Sequence, residues 1–313
     1  MAQRAAISIG LAAAALALAA CQPVPEGAGG APPPDRPVTP TPQPPSADSE
    51  AARAYYARVE RTLLSQGLLR SDGGGPDAPF TAAQLAANFM RIALYDELVD
   101  GGGSYVARQT PSELRRWAGP VRIEPVFGVT VPAARRTADS ATIDAYARRL
   151  ARVTGHPIRT VPRGGNFQVL YLNEDERRDP GTIMRAYAPA ISDTAIRTVA
   201  TMPRDVFCIV FAISDGRTPD YRQALAVIRA EHPDRLRRAC IHEEIAQALG
   251  LPNDSPTARP SIFNDDEEFG LLTTHDEYLL NILYDPRLRP GMRAAEARPI
   301  VEAIARELIG GES

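Results

Sequence analysis

The chain contains no lysine, and all 35 of its basic residues are arginine. Schiff-base catalysis and the lysine of a phosphate-binding loop are therefore excluded. No charge of one sign dominates either, since 35 basic residues face 38 acidic ones for a formal net charge of −3. A chain so balanced, with no basic stripe, is not built to hold nucleic acid. There is no Gly-x-Ser-x-Gly elbow, and the four histidines (His156, His232, His242, His275) stand in contexts that look exposed, so a nucleophilic triad is not indicated. No fixed-period repeat occurs, which removes solenoids. With 44% hydrophobic and 23% charged residues, the remainder is an ordinary globular composition able to form a sizeable core.

Three cysteines are too few and too odd for a disulfide framework, but they divide into one and a pair. Cys21 closes a leading segment in which Met1 to Arg4 is positive, Ala5 to Ala20 is apolar, and Leu18-Ala19-Ala20-Cys21 resembles a bacterial lipobox. The expectation is a signal peptide over 1–20 and diacylation of Cys21, an anchor made of lipid and not of a spanning helix. Gln22 in place of aspartate after the cysteine implies, by analogy with Gram-negative sorting, a periplasm-facing protein of the outer membrane. The region 21–48 reads as a tether, with ten of the 29 prolines between Gln22 and Asp48; such composition is extended and semi-rigid. Residues 49–313 then form a single domain.

Within it, apolar spacing predicts helices over 51–69, from Thr81, over 140–153, over 221–231 with Tyr221, Ala224, Leu225 and Ile228 on one face, and over 294–308. Strands are expected at 90–95, 121–126, 158–161, 167–172 and 206–213. The glycine runs 73–75 and 101–103 lack the context of a phosphate loop and are turns.

The informative segment follows His232-Pro233-Asp234, where proline and an acid start a helix. The helix runs to Leu249, with Gly250, Leu251 and Pro252 ending it. Ile241, Ile245, Ala248 and Leu249 make its apolar stripe, yet Glu244 lies on that stripe. A core-facing acid is costly unless partnered. Glu243 and Gln247, four residues apart, project beside it, and Asn253 and Asp254 follow the glycine turn. Consecutive helix residues diverge by about 100°, which argues against Glu243 and Glu244 acting as an acid–base pair. Cys208, on an apolar strand, and Cys240, on this helix, are placed for a bridge stabilising the fold by roughly 3 to 4 kcal/mol in an oxidising compartment.

The run Glu243-Glu244-Ile-Ala-Gln247-Ala-Leu-Gly250-Leu-Pro-Asn253-Asp254 resembles the metzincin zinc-protease motif, with Glu243, Gln247 and Asn253 in the places of its three histidines. Glu244 matches the general base and Gly250 the turn. His242-Glu243 is out of register. Ser261-Ile262-Phe263 lies where matrixin-type members have their methionine turn, and the stretch from Leu272 to Asp285 is similar to their closing helix. The resemblance implies an α+β, zincin-like fold: a mixed twisted sheet with a long motif helix and C-terminal helices. Closer still is the similarity to the bacterial family called domain of unknown function 2927, carried by Cys240, Glu243 to Asp254, Ser261 to Asn264 and Leu283 to Met292; it implies no activity.

One carboxylate and two amides are poor zinc donors, so no metal is expected, with calcium on Glu243, Gln247, Asn253 and Asp254 as a weak alternative. A polar network around Glu244 is the favoured explanation. The sequence thus points to an envelope lipoprotein whose protease-like domain has lost its zinc ligands and binds a peptide or an envelope protein without catalysis. The alternatives are a hydrolase using an unusual metal or Glu244 as a base without zinc, and a purely structural lipoprotein.

Overall fold

A computed structural model describes residues 44–214 and 216–310. The lipobox, Cys21 and the tether up to residue 43 lie outside the described residues. The elements are α1 (Ala47–Ser65), α2 (Ala82–Ala93), β1 (Tyr95–Asp100), β2 (Tyr105–Pro111), β3 (Val121–Phe127), α3 (Ala133–Thr154), β4 (Ile158–Thr160), β5 (Phe167–Leu172), α4 (Glu174–Arg177), α5 (Gly181–Tyr187), α6 (Asp193–Thr201), β6 (Cys208–Ser214), β7 (Tyr221–Arg229), α7 (Asp234–Gly250), α8 (Thr274–Tyr284) and α9 (Ala294–Gly310). The fold is α+β, as the sequence implied. A five-stranded mixed sheet has the order β4-β3-β5-β7-β6, parallel except for β6, which runs antiparallel to β7 at the edge. β1 and β2 form a separate antiparallel hairpin.

Alternation along the central strands explains the layering. Phe167, Val169 and Tyr171 of β5, with Ala224, Ala226 and Ile228 of β7, enter the main core with α2, α3, α7, α8 and α9. Leu170, Leu172, Leu225 and Val227 point the other way, into a second core closed by α5 and α6. A strand covered on both faces has no polar alternation to display.

That is why the helix expected over 221–231 is in fact strand β7. Its apolar stretch Ala224–Ile228 happens to match a helical stripe, but each residue is buried against one of two opposite layers. The strand expected at 90–95 is also corrected: residues through Ala93 complete α2, whose capping box joins Thr81 and Gln84, and β1 begins only at Tyr95. Such boxes satisfy backbone N–H groups that a helix start leaves orphaned. The first helix begins at Ala47, capped by Ser46, ahead of the expected start at 51 and inside the last residues assigned to the tether. Ser49 on it donates to Glu231 at 2.7 Å, tying it to the end of β7.

Helix α7 is fastened along its length. Its N-cap, Pro233, offers no side-chain acceptor; Glu60 of α1 substitutes, accepting from Arg235 N at 2.8 Å and Leu236 N at 2.9 Å. Negative charge at a helix start also suits the macrodipole. Buried Arg237 pairs with Asp139 of α3 at 3.0 Å. Cys240 is bridged to Cys208 of β6, the bond expected from the sequence. At the other end, Trp117 Nε1 donates to Ala248 O at 2.8 Å and the Tyr284 hydroxyl to Leu249 O at 3.1 Å. Those carbonyls have no helical partner of their own.

Replacing Cys208 and Cys240 together by alanine is expected to lower unfolding stability by about 3 to 4 kcal/mol through the freed loop. Urea unfolding of the oxidised protein and the double variant checks this; equal midpoints would contradict it.

Candidate functional site

A groove of about 810 Å³ runs beside β6. One wall is β6 itself, all seven residues of which line it. The opposite wall is the β1–β2 hairpin with α6, represented by Leu98, Tyr105, Ala195 and Thr198. Local bonds hold that wall in place: Tyr105 N donates to the Thr198 hydroxyl at 2.8 Å, and Arg197 Nε donates to Gly103 O at 2.7 Å. The glycines 101–103 form the hairpin turn, as expected of a turn. One end of the groove is polar, lined by Glu243, Glu244 and Gln247 of α7, Asp254, and Glu97 of β1.

Gly250 decides how the chain leaves α7. Its φ is +129°, and a Cβ there would overlap the Arg115 carbonyl oxygen. Only glycine combines that backbone with that approach. The turn brings Asp254 back beside α7, and Gln109 Nε2 donates to its carbonyl at 3.3 Å. Asn253 goes elsewhere: it is 1% exposed, its amide donates to Arg91 O at 2.9 Å and Asp254 O at 3.0 Å, and it does not line the groove. So the fold gathers Glu243, Glu244, Gln247 and Asp254, while Asn253 acts as a strut under the turn.

Beneath the turn, Asp276 at the start of α8 gathers Ser261 Oγ at 2.5 Å, Ile262 N at 3.1 Å and Thr273 Oγ1 at 2.8 Å. Ser261–Phe263 is thereby a rigid loop.

The histidines correct their expected exposure. His232 and His275 are 1% and 0% exposed, and His156 is half-buried with Nε2 2.9 Å from Gly119 O. His242, expected at the surface, stacks on Tyr146 with ring centroids 4.0 Å apart and accepts from Leu272 N at 2.9 Å through Nδ1. Burial lowers its pKa to about 3, which keeps Nδ1 free to accept. Their polar neighbours made them look exposed, whereas each serves packing between elements remote in sequence.

Among the described residues, Glu97, Glu243, Glu244 and Asp254 make no ion pair. Glu244 is 3% exposed, and its Oε2 has no hydrogen-bond partner; Asp254 Oδ1 has none either. Burial raises the pKa of Glu244 well above normal, and the charges of Glu97 and Asp254 raise it further. Burial, then Glu244, does the same to Glu243. Asp254 is raised by burial, by Glu243, Glu97 and Asp265, and by a side-chain hydrogen bond with Asp265. Glu97 is raised by burial and by Asp265, and Glu267 is pushed up to about 7 by burial and by Asp265 and Asp266. Groups this close titrate as a coupled set, each carboxyl held above its ordinary range by burial and by its acidic neighbours.

Although consecutive on the helix, Glu243 and Glu244 bring carboxylate oxygens and Cys208 Sγ within 4.8 Å of one another. The expected divergence is overcome by side-chain length. The sulfur is not a metal donor, because it is bonded to Cys240; thiolate is the form that ligates. A cation here would meet the two carboxylates, with Gln247 and Asp254 beside them. Two features escaped sequence reasoning. Glu97 joins from a hairpin far upstream and has no local signal. Asp265 and Glu267 belong to the acidic run Asp265-Asp266-Glu267-Glu268, which could have been noticed.

The molecule is therefore an α+β domain with an acidic-ended groove at the open edge of a mixed sheet. Residues 82–303 match the family described as "Protein of unknown function (DUF2927)", and the chain belongs to it. No curated protein and no solved structure matches the chain.

Glu267 supplies a pH test. With its folded pKa raised from 4.5 to about 7, the folded chain keeps a proton that the unfolded chain has released, so its contribution to stability is lost as pH rises through that window. Glu267→Gln is expected to gain stability relative to the parent between pH 4.5 and 7, on the order of 1 to 3 kcal/mol. Parallel urea unfolding curves across the range check it; a difference independent of pH would contradict it.

Proposed function

We propose that this domain receives an extended polypeptide segment laid along β6, and that it does so from a lipid anchor at Cys21 on the periplasmic side of the outer membrane. The observation that carries the reading is the position of β6: the last strand of the sheet borders a groove of about 810 Å³ along its whole length. An open sheet edge offers main-chain hydrogen bonds to an added strand, and side pockets then supply selectivity. The apolar wall of Val210, Phe211 and Ile213 suits alternate side chains of such a segment.

The metzincin resemblance supports the same reading. In that register, Glu243, Gln247 and Asn253 replace the zinc-binding histidines, giving a zincin-like domain that keeps a cleft without zinc chemistry. Binding without turnover, a pseudoprotease role, is the function put forward. A second reading is favoured by one feature, the closeness of Glu243 and Glu244 with an unpartnered Glu244 oxygen: hydrolysis of the bound peptide with Glu244 as general base and no metal. Adjacent carboxyls with raised pKa values are the kind of groups that divide acid and base roles.

The test uses the full chain and a library of end-blocked hexapeptides. Binding is expected to slow backbone hydrogen exchange across Cys208–Ser214, with the peptides recovered intact. Absence of binding, or protection confined to other elements, would overturn the reading; cleavage that disappears in Glu244→Gln would establish the hydrolase instead. For the anchor, radiolabelled palmitate is expected in the native chain and not in Cys21→Ser, and equal labelling of the two would refute it.

A further inference from the structure

Of the features that the groove reading leaves unused, the collection of carboxyl groups at one end stands out, because buried Glu244 lies among half-buried Glu243, Asp254 and Glu97, an arrangement that is unfavourable unless something balances it. Among the residues that line the groove there, Glu244 is 3% exposed with an unpartnered Oε2, Glu243 is beside it, and Asp254 Oδ1 is also unpartnered. Glu97 faces them from the hairpin. Arg115, on the groove wall, directs its Nη2 to Asp96 and Ser112 and makes no ion pair with these acids among the described residues.

We infer that this end of the groove is a subsite for a basic side chain, the guanidinium of an arginine or the ammonium of a lysine carried by the peptide on β6. The inference rests on the groove reading and deepens it by naming the kind of peptide. The geometry favours an organic cation over a metal ion. A dication needs several oxygen donors converging on one point, and the cluster of acids and cysteine that converges here among the described residues includes a disulfide sulfur, leaving two carboxylates. A guanidinium instead presents donors spread over a plane and is matched by carboxylates arranged around it. The space beside Glu243 and Glu244 is also continuous with an apolar wall formed by β6, along which the methylene stem of an arginine or lysine can lie while its charged head reaches the acids.

The test measures affinities of the full chain for hexapeptides in which each position in turn carries arginine, lysine, citrulline, norleucine or glutamate. At one position, arginine or lysine is expected to bind at least about tenfold more tightly than citrulline or norleucine, as a desolvated charge pair does. In Glu243→Gln and Glu244→Gln that preference is expected to fall below about threefold. Peptides that bind with no basic preference at any position would overturn the subsite and leave the groove reading standing. No peptide binding at all would overturn both. Stoichiometric binding of calcium chloride alone, lost in the same two variants, would make the acids a metal site and contradict the inference. Should either variant fail to fold, the citrulline comparison in the native chain still decides, since citrulline keeps the shape of arginine without its charge.

Discussion

Helix α7 has no freedom to rotate or slide, and the character of the groove depends on that restraint. Glu60 and Asp139 hold its first turns, the Cys208–Cys240 bond joins its middle to the edge strand, and Trp117 and Tyr284 cap its last carbonyls. A helix fastened by its backbone at both ends and by a covalent bond between them cannot turn its acids toward water. Glu243, Glu244 and Gln247 must therefore face the groove beside β6, whatever the cost of desolvating them. The same bond that fixes the helix also sets the sulfur of Cys208 next to those carboxylates, so the feature that creates the polar end withholds a thiolate from it.

Energetically, the groove end and the rest of the interior are built on opposite rules. Elsewhere much of the buried charge is paired: Arg237 meets Asp139, and Arg229 and Arg177 surround Glu174. At the groove end, the largest charge effects on Glu243, Glu244 and Asp254 among the described residues come from other carboxyl groups. Against those paired charges, a group of acids with no ion pair among the described residues places the missing positive charge in a ligand or in bound protons. The hairpin β1–β2 matters for the same reason, because Glu97 adds to the acid group while the hairpin forms part of the wall opposite β6.

Much of this was legible in the sequence, for definite reasons. The course of α7, its glycine stop and its off-pattern Glu244 are local properties, carried by a 3.6-residue period and by one residue that must have positive φ. The Cys208–Cys240 bond followed from residue count and placement on an apolar strand and a helix. Strand β7 was not legible, because burial on both faces removes alternation and leaves an apolar run that fits either period. Nor was the burial of His232, His242 and His275, whose neighbours in space come from other elements. Asn253 shows the limit of motif register: it occupies the position of a ligand, yet its amide bonds to the end of α2 through Arg91 O, a contact that only the tertiary fold reveals.

The central claim is that Glu243 and Glu244 are held, uncompensated, at the end of the groove. Site-resolved NMR titration of the glutamate side-chain carboxyl carbons, with Glu243→Gln and Glu244→Gln providing assignments, tests it most directly. Both groups are expected to titrate well above the ordinary glutamate range, and removing Glu244 is expected to bring Glu243 down, since burial and then the like charge of Glu244 hold it up. Two independent titrations at ordinary glutamate values would mean that the acids are solvated or paired, and would contradict the account.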